Sequence, residues 1–200
     1  RFDDDTELSE TFDAFATLLE RGHIRYIGLS NFAAWQVMKA QHIARDFGCH
    51  TSILQPMYSL VKRQVEVEIL PMCMDQGIEV APYSPLGGGL LTGKYTRGET
   101  GRLTEDDRYA ARYGQAWMHD AAGTLTRLAE EHGVDAATLA VAWAMAHPAR
   151  PKPIISARSS QQLAPSLAAA GFAMTPALYE ELSALTPKPA PATDRLEEQG

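Results

Sequence analysis

Leu8, Phe12, Phe15 and Leu19 recur at the spacing that gathers side chains onto one face of an α-helix, with Thr6 placed to cap that helix and Gly22 to end it. The pattern then changes. Ile24–Leu29, IRYIGL, is short, rich in β-branched residues and bounded by turn residues, which predicts a strand. A helix follows over Ala33–Phe47, stopped at Gly48, and a second short strand over Ser52–Leu54. Val65, Ile69 and Cys73 mark the next helix, which Pro71 is expected to kink or restart before Gly77. Ile78–Tyr83 predicts a third strand, and the polar, Gly-rich stretch from Ser84 to about Tyr113 reads as a loop too long to be a mere connection. Helices are expected over Asp120–His132, Ala136–His147, Gln161–Ala170 and Pro176–Leu185, with Pro153–Ile155 as a minimal buried fourth strand. The domain is expected over residues 1–186, with a tail over 187–200.

Strands alternating with helices imply right-handed βαβ units and a parallel sheet, so the fold class is α/β. A closed (β/α)8 TIM barrel needs eight strands, and the chain offers four. It therefore reads as the C-terminal half of a barrel, a fragment that begins at the helix after the fourth strand. The alternative, a small doubly wound sheet, needs G-x-G-x-x-G after its first strand, and GLSNFAAW does not supply it.

Charge and composition narrow the partners. Lys and Arg number 18 against 25 Asp and Glu, a formal net charge of -7, with no basic stripe of the kind a phosphate backbone demands, so no nucleic-acid partner is expected. No apolar run approaches the roughly 20 residues that span a bilayer, and no membrane association is expected. Cys49 and Cys73 stand outside any C-x-x-C pair and read as reduced core thiols of a cytoplasmic protein. The His residues at 23, 42, 50, 119, 132 and 147 form no metal-ligand spacing, so no metal is expected. The oligomeric state is not fixed by these features.

In such a fold the chemistry gathers at the C-terminal ends of the strands. Those positions are Ser30 and Asn31, Gln55, Tyr83 and Ser84, and Ser156–Ser159, a set of amides, hydroxyls, an aromatic ring and an arginine. It contains no paired carboxylates and no G-x-S-x-G elbow. What it can do is hold a flat, amide-bearing ring and a phosphate, because Asn and Gln donate and accept at once and a Tyr face can stack. Each residue also has a plainer role: Asn31 as cap of the following helix, Gln55 as a turn residue before Pro56, Tyr83 as core. Downstream, GGLLTGKY over 88–95 nearly matches a P-loop but puts Tyr95 where Ser or Thr must ligate Mg²⁺.

Five strings in order carry a resemblance: RYIGLSNF, QPMYSLVKR, EVEILPMCMDQGIEVAPYSPLGGGLLTGKY, ATLAVAWAMAHP and PIISARSSQQL. The chain resembles the aldo-keto reductase superfamily up to about Leu185, closest to its bacterial and channel-β-subunit-like branch. The resemblance implies a (β/α)8 barrel that binds NADP(H) and reduces an aldehyde or ketone, a small-molecule carbonyl substrate, by hydride transfer. It places Ser30, Asn31 and Gln55 on the nicotinamide carboxamide and Tyr83 under the ring. Ser84, Leu86, Gly87 and Gly89 would cradle the pyrophosphate with Lys94 nearby, and Ser156, Arg158 and Gln162 would meet the 2′-phosphate and adenine. Ser156 stands where the family more often has Gly, and Pro165 and Ser166 where it has Glu and Asn, so phosphate selectivity would rest mainly on Arg158. No catalytic residue is assigned within the chain: the family's Asp, Tyr, Lys and His would lie upstream of Arg1. The segment 97–118, with Tyr113, Trp117 and Met118, would cover cofactor or substrate, or in part merely pack. Alternatives left open are an NADP(H)-sensing regulatory protein and an inactive half-barrel.

Overall fold

Three short strands pair in parallel in the order β1 (Ile27–Ser30), β2 (Thr51–Gln55) and β3 (Glu79–Val80), in a computed structural model that describes residues 1–193. Helices α1 (Leu8–Glu20), α2 (Ala34–Asp46) and α3 (Ile69–Gln76) alternate with them, and α2 and α3 pack against the strands they precede. The register aligns Leu29, Leu54 and Val80 on the buried, helix-covered face. Gly28, Ile53 and Glu79 are aligned on the opposite face, where a Cβ at Gly28 would come within 2.7 Å of Ile53 Cγ2. Only a glycine lets β1 and β2 approach with Ile53 in that rotamer.

The fourth strand takes a different form from the buried one expected. Lys152 and Ile154 donate backbone hydrogen bonds of 2.8 Å to the carbonyls of Val80 and Pro82, so the segment runs beside β3 at a parallel spacing. Pro82 has no N–H with which to answer Lys152, and the ladder is bonded in one direction only. Nor is the segment buried: Ile154 is 44% exposed, and the Lys152 ammonium reaches Glu79 on β3.

Several local expectations need correcting. Thr6 does not cap α1; its hydroxyl donates to Asp3 at 2.8 Å, and Glu7 precedes the helix without a side-chain cap. Pro71 neither kinks nor restarts α3, since it sits in the first turn, where its missing N–H has no intrahelical acceptor to lose; the break lies upstream, between a 3₁₀ turn at Gln64–Glu66 and Ile69. The stretch after Tyr83 is largely ordered: a kinked turn over Gly87–Thr92, with Gly88 and Gly89 outside helical geometry, is followed by α4 (Arg102–Glu105) and α5 (Asp107–Tyr113). Asp106 starts α5 by accepting from the Arg108 N–H at 2.9 Å.

The remaining helices are α6 (Ala116–Glu131), α7 (Ala136–Ala146), α8 (Ser160–Ala168) and α9 (Pro176–Ser183). Every residue of α7 from Ala136 to Ala144 is buried, which its run of alanines allows by letting neighbours close on all sides. A cluster built on Trp143 ties α7 to α9 and to the connection after β2. Arg63 grips Glu66 through two bonds of 3.0 and 2.9 Å and donates to the Ser183 carbonyl at 2.7 Å. Tyr58 donates to the same Glu66 at 2.8 Å. Burial pushes the Cys73 thiol up to about 11, and Cys49 is raised by the same cause, so both stay protonated at neutral pH. No helix among the described residues is long and apolar enough to cross a membrane, and the tail from 194 to 200 lies outside the described residues.

Candidate active site at the strand ends

The parallel register carries the C-terminal ends of β1, β2 and β3 to one edge, and their side chains join there. Ser30 pairs in register with Gln55, and its hydroxyl donates to the Gln55 carbonyl at 3.0 Å, with the Gln55 side-chain oxygen 3.5 Å away. Asn31 Nδ2 donates to Ser30 Oγ at 3.3 Å. Across the sheet, the Tyr83 hydroxyl donates to Asn31 Oδ1 at 2.8 Å. Residues separated by 52 positions in the chain therefore form one connected polar constellation, with Asn31 and Gln55 exposed and Ser30 and Tyr83 half-buried.

Backbone strain marks the same edge. Asn31 (φ 56°), directly after β1, and Ser84 (φ 57°), directly after Tyr83, both hold left-handed conformations, a region that side chains other than glycine seldom enter. Asn31 is not the cap of α2: the Ala33 N–H is instead taken by Gln36 Oε1 at 2.8 Å, which leaves the Asn31 amide to the constellation. Tyr83 is not core, since its ring is only half-buried.

The glycine turn follows Ser84 after Pro85 and Leu86. Gly87, Gly88 and Gly89 have φ of 56°, 67° and 100°, and Gly87 is buried with Val61 Cγ2 only 3.1 Å from where a Cβ would stand. Two of its amides close the turn: Gly87 donates to the Ser84 carbonyl at 3.0 Å and Gly89 to the Leu86 carbonyl at 2.9 Å. Leu86 itself is half-buried against the core. Lys94 donates to the Thr100 carbonyl at 3.3 Å and lies 4.7 Å over the Tyr95 ring, so its ammonium braces the 93–101 segment. No helix opens at Lys94, which removes the P-loop reading of GGLLTGKY.

The bonds from Lys152 and Ile154 to β3 carry the chain forward to Ser156 and Arg158, both exposed. Among the described residues the Arg158 guanidinium has no hydrogen bond or ion pair; only its backbone N–H is engaged, by Gln162 Oε1 at 2.9 Å. Gln162 also donates its N–H to Ser159 Oγ at 3.2 Å, so it helps to start α8. Of the aromatic and apolar residues expected to cover a ligand, Tyr113 and Met118 are buried, and Trp117 is half-buried with its indole N–H on Gln115 at 2.5 Å.

One group went unnoticed in the sequence. The guanidinium groups of Arg102 and Arg112 lie 5.5 and 5.7 Å from the centre of the Tyr109 ring, and that ring rests on Gly88, where a Cβ would come within 2.7 Å of it. The alternation of Arg and Tyr in DRYAARY is the signal that could have found it. Burial raises the Tyr113 phenol beside this group, and burial together with Arg112 lowers Lys62.

The edge is suited to gripping a planar amide-bearing group with a phosphate nearby. It holds no acid–base pair, and among the described residues no group of three or more His, Cys, Asp or Glu could hold a metal ion. Over 191 residues the chain is 35% identical to "Uncharacterized oxidoreductase YrpG" of Bacillus subtilis, covering 94% of this chain and 57% of that protein. It is 29% identical over 180 residues to "Versiconal hemiacetal acetate reductase" of Aspergillus parasiticus, covering 88% of this chain and 52% of that one. It is 32% identical over 183 residues to "Protein tas" of Escherichia coli, with 89% and 52% covered. The chain thus spans about half the length of the curated relatives it matches. The family model described as "Aldo/keto reductase family" matches residues 1–186, and the chain belongs to that family.

Proposed function

We propose that this chain is the cofactor-holding part of an NADP(H)-dependent aldo-keto reductase that reduces an aldehyde or ketone by hydride transfer. The observation that carries this reading is the constellation of Ser30, Asn31, Gln55 and Tyr83 at adjacent strand ends, a set matched to a carboxamide and the ring that bears it. The Arg158 guanidinium, which has no partner among the described residues, is suited to a 2′-phosphate, since an Arg–phosphate bond contributes about 1.5–3 kcal/mol and would favour NADP(H) over NAD(H) by roughly tenfold or more. When bound, the dinucleotide supplies the hydride. The chain's own residues orient the ring: Gln55 and Asn31 at the carboxamide, Tyr83 against one face, and the glycine turn beside the pyrophosphate.

A closed barrel is part of the same proposal. Among the described residues β1 pairs on one side only, and the face carrying Gly28, Ile53 and Glu79 lies opposite the helices. Upstream strands of the full-length protein would close that edge, cover that face and bring the proton donor. The protein is read as cytoplasmic. Absorbance at 340 nm provides the test: the full-length protein should oxidise NADPH only when an aldehyde or ketone is added. Loss of NADPH absorbance at the same rate without a carbonyl compound, or none with a broad panel of them, would count against the activity.

A further inference from the structure

We infer that Tyr83 is a positioning residue that works through Asn31: its hydroxyl holds the Asn31 amide with nitrogen turned toward the carboxamide oxygen of the cofactor. This rests on the reading of the strand ends as a nicotinamide site. A ring platform needs only the aromatic face, whereas the hydroxyl has a separate task that the hydrogen bonds define.

The direction of the chain of bonds is set by an atom that can only accept. Ser30 Oγ lies 3.0 Å from the Gln55 backbone carbonyl, so its hydrogen points there. Toward Asn31, 3.3 Å away, Ser30 Oγ then offers lone pairs, which requires Nδ2 on that side of the amide. Oδ1 must therefore face the phenol at 2.8 Å, and Tyr83 must be the donor. The backbone is pinned as well, since Asn31 is left-handed at φ 56° and its N–H meets the Gln55 carbonyl at 3.3 Å.

Held in this way, Asn31 keeps one Nδ2 hydrogen for an incoming acceptor, while the exposed Gln55 amide, only 3.5 Å from Ser30, is left for an incoming donor. That pair is the complement of a carboxamide, whose oxygen would meet Asn31 and whose NH₂ would meet Gln55. Without the phenol, only the 3.3 Å bond to Ser30 Oγ orients the Asn31 amide, and once the Ser30 hydroxyl turns away from the Gln55 carbonyl the amide can rotate by half a turn and set oxygen against oxygen. Phenylalanine at 83 keeps the ring and loses this control.

Equilibrium binding to the full-length protein separates the two roles of Tyr83. The probes are NADP⁺ and 3-aminopyridine adenine dinucleotide phosphate, which has no carbonyl oxygen for Asn31 to meet. Tyr83→Phe should weaken NADP⁺ binding roughly fivefold while changing affinity for the aminopyridine analogue by less than about twofold, with unaltered thermal unfolding. Unchanged NADP⁺ affinity would overturn the inference, and so would an equal loss for both dinucleotides, which a ring-only or general structural role predicts. Failure of the unsubstituted protein to bind NADP⁺ at all would instead remove the nicotinamide reading, and the inference with it.

Discussion

Trp143→Ala is expected to lower the unfolding free energy by about 3–5 kcal/mol, the range for deleting a large aromatic side chain from a packed interior. The indole is fully buried, stacks on Tyr179 at 5.9 Å and an interplanar angle of 10°, and meets Tyr58 at 5.2 Å. Arg63 lies 5.4 Å above it, and the indole N–H donates to Ser183 Oγ at 2.9 Å. These partners come from α9 and from the connection after β2, so no single neighbour can collapse into the space without breaking a bond elsewhere. Urea titration of the full-length protein, followed by circular dichroism, gives the change directly. Trp143→Phe separates the contributions: it keeps most of the packing, loses the Ser183 bond, and should cost about 1–2 kcal/mol. A loss below about 1 kcal/mol for the alanine variant would show that the cluster does not hold α9 to the body.

Glu66→Ala ranks second, with an expected loss of about 3 kcal/mol. The Arg63 and Glu66 side chains are 11% and 15% exposed, so removing the carboxylate leaves a guanidinium with little water to replace it. Tyr58 loses its acceptor in the same step. A double-mutant cycle tests the shared network: Tyr58→Phe should cost about 1 kcal/mol in the native background and close to nothing once Glu66 is alanine. Additive losses would mean that the phenol and the guanidinium do not share Glu66.

The alternation of apolar periods was enough to place most of the helices and the first three strands, because Leu8, Phe12, Val37, Leu54 and Val80 are buried for the reason their spacing suggests. The strand-end residues followed from the rule that parallel strands collect function at their C-terminal ends, and Ser30, Asn31, Gln55 and Tyr83 do meet. What could not be read was long-range. Nothing local distinguishes Thr6 bonded to Asp3 from Thr6 capping a helix. The order in residues 87–113 depends on Tyr109 against Gly88 and on Lys94 reaching Thr100. Arg63 and Glu66 look like surface charges until Ser183 arrives from a distant helix to meet the guanidinium. Pro82 was visible, but its effect on the fourth strand required knowing which carbonyls Lys152 and Ile154 face.

We propose that the strand-end constellation grips the amide end of a nicotinamide dinucleotide. The most direct test is an NADPH fluorescence titration of the full-length protein and its Gln55→Ala variant. Saturable binding to the native protein is expected, with roughly five- to tenfold weaker binding to the variant, the effect of losing about one to two hydrogen bonds at an exposed amide. Absence of NADPH binding to the native protein, or equal affinity in both, would contradict it.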